Sequence, residues 1–155
     1  MHQIEVKRHL IERLFHPSHG WAVTVDLDAM ELGKGAQNTR EKRKVAETHR
    51  RWMEDNGIAI SPHAEHGRAD IVAQHSIHGK WLIECEGDTS KQREQAMYSS
   101  LGQLILLMAD SRSHYALAVP HSDEWSSQVA KIPKFVRDAL ALKVFLVSDE
   151  NIKEG

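Results

Sequence analysis

The stretch "GRADIVAQHSIHGKWLIECEG" (67–87) decides how the chain is read. It holds two short apolar runs on either side of a turn, and carboxylates sit inside both. Asp70 opens the first run; Glu84 and Glu86 interrupt the second. A lone carboxylate on a buried strand is costly unless it is paired, protonated or bound to a cation. Strand side chains alternate between faces, so Leu82, Glu84 and Glu86 point one way and Trp81, Ile83 and Cys85 the other, toward a core. Asp70, Val72 and Gln74 share a face in the same manner.

Whether Asp70 joins the two glutamates depends on the turn. A three-residue loop Ile77–His78–Gly79, with glycine in the left-handed position, pairs Ser76 with Lys80 and sets Asp70 opposite Glu86. A two-residue loop would send Asp70 to the other face. If the three acids converge, their repulsion calls for raised pKa values or a divalent cation. Hard oxygen donors without a thiolate suit Mg²⁺ or Mn²⁺ rather than zinc. The alternative reading is an exposed edge whose acids only discourage aggregation.

Outward from the hairpin, "TSKQREQAMYSSLGQLILLMAD" (89–110) has the spacing of a helix. Thr89 with Gln92 reads as a capping box, and Met97, Leu101, Leu104, Ile105 and Met108 form an apolar stripe. Lys91, Gln95, Ser99 and Gln103 recur every fourth residue as a polar stripe beside it. "HYALAV" and "LKVFLV" read as strands joined by a helical connection broken near Pro133, hence as a parallel pair. Upstream, "IEVKRHLIERLF" is helical through Ile4, Leu10, Ile11 and Leu14. "GWAVTVDLD" alternates as a strand, and "NTREKRKVAETHRRWMEDNG" is a helix running from Asn38, with Glu41 as its capping partner, to a stop at Gly57. "IAIS" is a short strand. The expectation is one α/β domain with a mixed sheet.

The chain has 155 residues, enough for one core, and its formal charge of −2 points to neither nucleic acid nor a membrane surface. "MHQIEVKRHL" lacks the apolar centre of a signal peptide, "LILLMA" is too short to span a bilayer, and a single Cys85 suits a reducing, cytoplasmic location. Seven Lys/Arg against two Glu between Lys34 and Arg51 could track phosphates or simply solvate a helix. His63, His66, His75 and His78 lack the spacing of a zinc site. "GKGAQ" lacks the spacing of a phosphate-binding loop.

"GRADIVA", thirteen residues between Asp70 and Glu84, "ECEG", and a following helix with "SSLGQL" together resemble the PD-(D/E)XK nuclease superfamily. The likeness runs over about 41–147 of a single domain spanning 1–155, with 1–37 as an N-terminal helix and strand extension. It implies a restriction-endonuclease-like three-layer core, a mixed central sheet flanked by helices. It also implies a Mg²⁺- or Mn²⁺-dependent endonuclease that hydrolyses DNA phosphodiester bonds. Asp70 and Glu84 then stand at the metal-binding acids, and Glu86 where the family usually has lysine. Glu86 would be a further ligand or a general base. Lys91 is the nearest substitute lysine, Gln103 matches a glutamine common in that helix, and Glu47 matches an acid some members carry. A homodimer would bring the two sites that cutting two strands needs. The rival expectation is a catalytically inactive relative that binds nucleic acid or a protein. A third is an unrelated interaction domain whose hairpin acids are surface charge.

Overall fold

The computed structural model describes residues 1–35, 39–61, 69–88 and 92–155. Along the chain come α1 (Gln3–Leu14), β1 (Ala22–Val25), α2 (Arg40–Asp55), β2 (Ala59–Ile60), β3 (Ile71–His75), β4 (Gly79–Cys85) and α3 (Arg93–Leu107). They are followed by β5 (His114–Pro120), α4 (Asp123–Val129), α5 (Lys134–Leu140), β6 (Leu142–Val147) and β7 (Ile152–Glu154). The strands form one mixed sheet in the order β2–β1–β3–β4–β5–β6–β7. β3 runs antiparallel to β1 and to β4, whereas β4, β5 and β6 are parallel. The helical crossovers through α3 and through α4–α5 make those parallel pairs, as the strand–helix–strand order predicts.

Alternation along the strands divides the interior into two cores. Ile71, Ala73, Ile83 and Cys85 turn toward α1 and meet its Ile4, Leu10 and Ile11. Val72 and Leu82 turn the other way, toward Met97 and Leu104 of α3 and Trp125 of α4. The sheet is thus covered on both faces, and the strand side opposite Cys85 is a second core rather than a solvated face. Ile105, expected in the α3 stripe, is 55% exposed. It borders a narrow apolar groove against Val136 and Leu140. Segment 1–37 supplies α1 and β1, and β1 lies inside the sheet between β2 and β3.

Local caps differ from the expected ones. Thr39, not Asn38, caps α2, its side chain accepting from Lys42 N at 3.2 Å; Asn38 lies outside the described residues. Gly57 follows the end of α2 at φ 76°, as a stop glycine should. Gln92 is the N-cap of α3 and makes no side-chain capping bond; Thr89 lies outside the described residues.

The hairpin register is shifted from the expected one. His75 pairs with Gly79, and Ile71 with Ile83. The loop is Ser76–Ile77–His78, and Gly79, at φ 76°, is the first residue of β4 rather than the last of the loop. The reason lies in His75, whose Nδ1 accepts from Ile77 N at 3.0 Å and from His78 N at 3.2 Å and so starts the turn there. Continuing this register beyond β3, Asp70 falls beside Glu84 rather than Glu86. The shift is by two residues, so face parity survives and the acids still share a side.

Candidate metal centre

Where β3 begins and β4 ends, the sheet opens into a cavity of about 520 Å³. Asp26, Asp28, Glu31, Asp70, Glu84 and Glu86 all line it. Gln3 of α1 and Gln103 of α3 complete its walls. The three acids expected from the hairpin are therefore brought to one place. Three more come from the "DLDAMEL" segment after β1. That segment is fastened to the hairpin by Asp26 N donating to Asp70 O at 3.0 Å. Asp28 then turns the chain, its Oδ1 accepting from Glu31 N at 2.8 Å, which points Glu31 inward.

The cation beside Asp70 is Lys7, from α1. Its side chain is fully buried. Nζ lies 2.7 Å from Asp70 Oδ1 and 2.8 Å from either oxygen of Glu31, and it donates to Asp26 O at 2.7 Å. Burial opposes the ammonium charge, yet Asp70 and Glu31 outweigh burial and hold Lys7 above its ordinary value. Gln3, one turn earlier on the same helix face, donates to Cys85 O at 2.8 Å and reaches Asp70 at 3.4 Å. Cys85 N donates to Asp70 Oδ2 at 2.8 Å. Asp70 is thus held from three directions.

Glu84 is in a different position. It is 3% exposed, and its Oε1 has no hydrogen-bond partner among the described residues. Burial first, then the neighbouring charge of Asp70, pushes its pKa up to about 9. Glu31 is pushed up to about 7 by burial, against the pull of Lys7. Glu86 is raised by burial, an effect opposed by the hydroxyl of Ser100, which donates to its Oε1. Cys85 is buried in the α1 core, and burial holds its thiol well above the usual range, which fits a small apolar filler rather than a ligand.

Of the other expected residues, Gln103 reaches the cavity wall, exposed, with its amide donating to Ser99 Oγ at 3.3 Å. Lys91, His63 and His66 lie outside the described residues. Glu47 stands on the outer face of α2, bound by Arg50 at 2.9 Å and Arg51 at 3.0 Å, away from the cavity. His75 and His78 sit at the opposite end of the hairpin; His78 stacks on Trp21, and His75 Nε2 donates to His19 O at 3.0 Å. Lys42 of α2 lines a neighbouring hollow with Asp28 and Glu31.

Six residues at the centre were not anticipated: Gln3, Lys7, Asp26, Asp28, Glu31 and Ser100. Two of them carried a signal. Lys7 lies three residues from Ile4 and from Leu10, on the apolar stripe of α1, where a lysine has no reason to be unless it finds anions. Ser100 interrupts the α3 stripe between Met97 and Leu104 in the same way. Both are buried.

The donor set is hard oxygen, with one buried carboxylate oxygen unpartnered, which is the chemistry Mg²⁺ or Mn²⁺ takes. As the side chains stand, no three His, Cys, Asp or Glu among the described residues are grouped as a finished metal cage. Asp70 is drawn toward Lys7 and Glu86 toward Ser100. In comparisons with known proteins, no family model matches the chain, and neither a curated protein nor a solved structure matches it. No helix among the described residues is long and apolar enough to cross a membrane.

Proposed function

We propose that the chain is a Mg²⁺-dependent endonuclease of the restriction-endonuclease-like fold that hydrolyses DNA phosphodiester bonds, with Asp70, Glu84 and Glu86 as its metal-binding acids. The observation that carries this reading is Glu84: a buried carboxylate with an unpartnered oxygen, placed against Asp70 at the mouth of an acidic cavity. Such a group is neutralised either by its own proton or by a bound cation, and the acidic cavity beside it favours the cation. A mixed sheet with α1 on one face and α3 on the other, and the acids on adjacent strands just before α3, supports the fold assignment.

Mg²⁺ held there would supply a hydroxide nucleophile and neutralise charge at the scissile phosphate. The chain's own residues do the rest. Lys7, Gln3 and the Cys85 N–H hold Asp70 in one orientation. Ser100 steadies Glu86 at the cavity as the third acid. Gln103 stands at the exposed rim, where an amide can orient a phosphate oxygen. Lys42 in the adjoining hollow, on a helix rich in Lys and Arg, offers the backbone an approach that the acidic cavity does not.

A second reading is a catalytically inactive protein of this fold that binds nucleic acid or a protein. It is favoured by Glu86 standing where the resemblance calls for lysine, and by the internal satisfaction of Asp70. Plasmid and branched-DNA cleavage separates the two. Wild type should cut with Mg²⁺ or Mn²⁺ and not in EDTA, and Glu84→Gln should cut at least 100-fold more slowly. Glu86→Ala should be strongly impaired, and Gln103→Ala impaired without loss of stability. No cleavage by wild type with either metal, together with DNA binding indifferent to Glu84→Gln, would establish the second reading.

A further inference from the structure

The ammonium of Lys7 occupies the kind of position a divalent cation takes. It stands between two carboxylates from separate segments, Asp70 before β3 and Glu31 after β1, and donates to a backbone carbonyl, Asp26 O, as a third partner. It is fully buried, so no hydrated ion shares that point with it. Asp70 and Glu31 are thereby compensated from within the chain. Glu84 and Glu86 feel that ammonium only at longer range and make no direct pair with it: Glu84 Oε1 is buried and unpartnered, and Glu86 has the neutral hydroxyl of Ser100. The charge left for an outside cation is confined to one side of Asp70.

Resting on the metal-centre reading above, we infer that Lys7 stands in the place of a second divalent cation, so that the centre binds one Mg²⁺ or Mn²⁺ per chain. Glu84 and Glu86 are its ligands, and Asp70 is shared between it and the ammonium. The physical basis is charge and space. A cation at the Lys7 position would have to displace an ammonium held by four oxygens from three residues at 2.7–2.8 Å, and Mg²⁺ sheds its water reluctantly. Lys7 is thus a positioning residue that sets the metal stoichiometry of the site.

Mn²⁺ binding to the intact chain without nucleic acid, by calorimetry and by the electron spin resonance of free Mn²⁺, tests this. Wild type should take up one Mn²⁺. Lys7→Met, of similar length and uncharged, leaves Glu31 and Asp70 uncompensated and should take up two, the second more weakly. The double variant Lys7→Met/Glu31→Gln removes the charge pair together and should return to one. It keeps the test in force if the single variant does not fold. Two Mn²⁺ in wild type, one in folded Lys7→Met, or two in the double variant would overturn the inference while leaving the metal centre intact. No Mn²⁺ bound by wild type would overturn the metal centre and this inference with it. One Mn²⁺ bound with no DNA cut would support the inference and overturn only the nuclease activity.

Discussion

Glu84 and Lys7 show how a single side chain is set by what surrounds it. Both are buried ionisable residues, and they are driven in opposite directions. Lys7 meets two carboxylates and stays charged. Glu84 meets burial and the charge of Asp70, and its neutral form is favoured up to about pH 9. The sign of the consequence follows from linkage. A carboxyl whose folded pKa lies above the unfolded value of 4.5 binds its proton in the folded state alone between those values. Its contribution to stability is complete below pH 4.5 and is lost as pH rises toward 9. The metal-free protein should therefore lose stability across that interval, and Glu84→Gln, neutral at every pH, should flatten the profile. At pH 8 the variant should be more stable than wild type, read from urea unfolding in EDTA. A variant as pH-dependent as wild type would show that Glu84 is ionised in the folded state.

At the scale of elements, the centre depends on how α1 meets the end of β4. A Cβ on Gly87 would lie 2.5 Å from Gln3 N and 3.0 Å from His2 C, so only glycine lets the start of α1 approach this closely. That approach brings Gln3 and Lys7 to Asp70. Gly87→Ala should push α1 outward and destabilise the fold by about 1–3 kcal/mol. It should also weaken Mn²⁺ binding measurably, although Gly87 touches no ion. The other flank of α1 is tied to α2 through Glu5, whose carboxylate has His49 Nε2 at 3.6 Å. The nearby His49, with the N–H of His2 donating to the same carboxylate, lowers Glu5 to about 2, and burial resists them. Here the sign is reversed. A depressed carboxyl contributes its stability above pH 4.5, and that contribution disappears as pH falls toward 2. Glu5→Gln should therefore blunt acid unfolding in that range, whereas Glu84→Gln acts on the alkaline side. The two pH–stability profiles distinguish them.

For the whole molecule, the sheet between two cores determines which parts open first. β5 is buried along all but its first residue and is flanked by parallel neighbours on both sides. β2 and β7 are edges of two and three residues. Amide exchange should be slowest at Ala116–Val119, tracking global unfolding, and fastest in β2 and β7. Exchange in β3 and β4 near the acids should slow further when Mn²⁺ is added, because a cation bound to the folded state alone stabilises it by mass action. Exchange there that is indifferent to Mn²⁺ would mean that no ion binds at these strands.

Most of the element pattern was legible in the sequence, the edge strand β7 excepted: Ile4, Leu10 and Ile11 announce a helix, Val23 and Val25 a strand, and Glu84 and Glu86 alternate with Ile83 and Cys85. Such periodicities are local, set by how side chains project from a helix or a strand. The common face of Asp70, Glu84 and Glu86 was legible as well, because parity survives a register shift of two. The register itself was not. It was decided by His75 Nδ1 accepting two backbone N–H groups, which no spacing rule contains. Nor was the partner of Asp70. Lys7 stood visible on an apolar stripe, a lysine out of place, but its anions lie sixty-three residues away at Asp70 and twenty-four away at Glu31. Long-range charge pairing depends on where the chain returns in space, and only the packing of α1 against the sheet brings an ammonium and two carboxylates within hydrogen-bond distance.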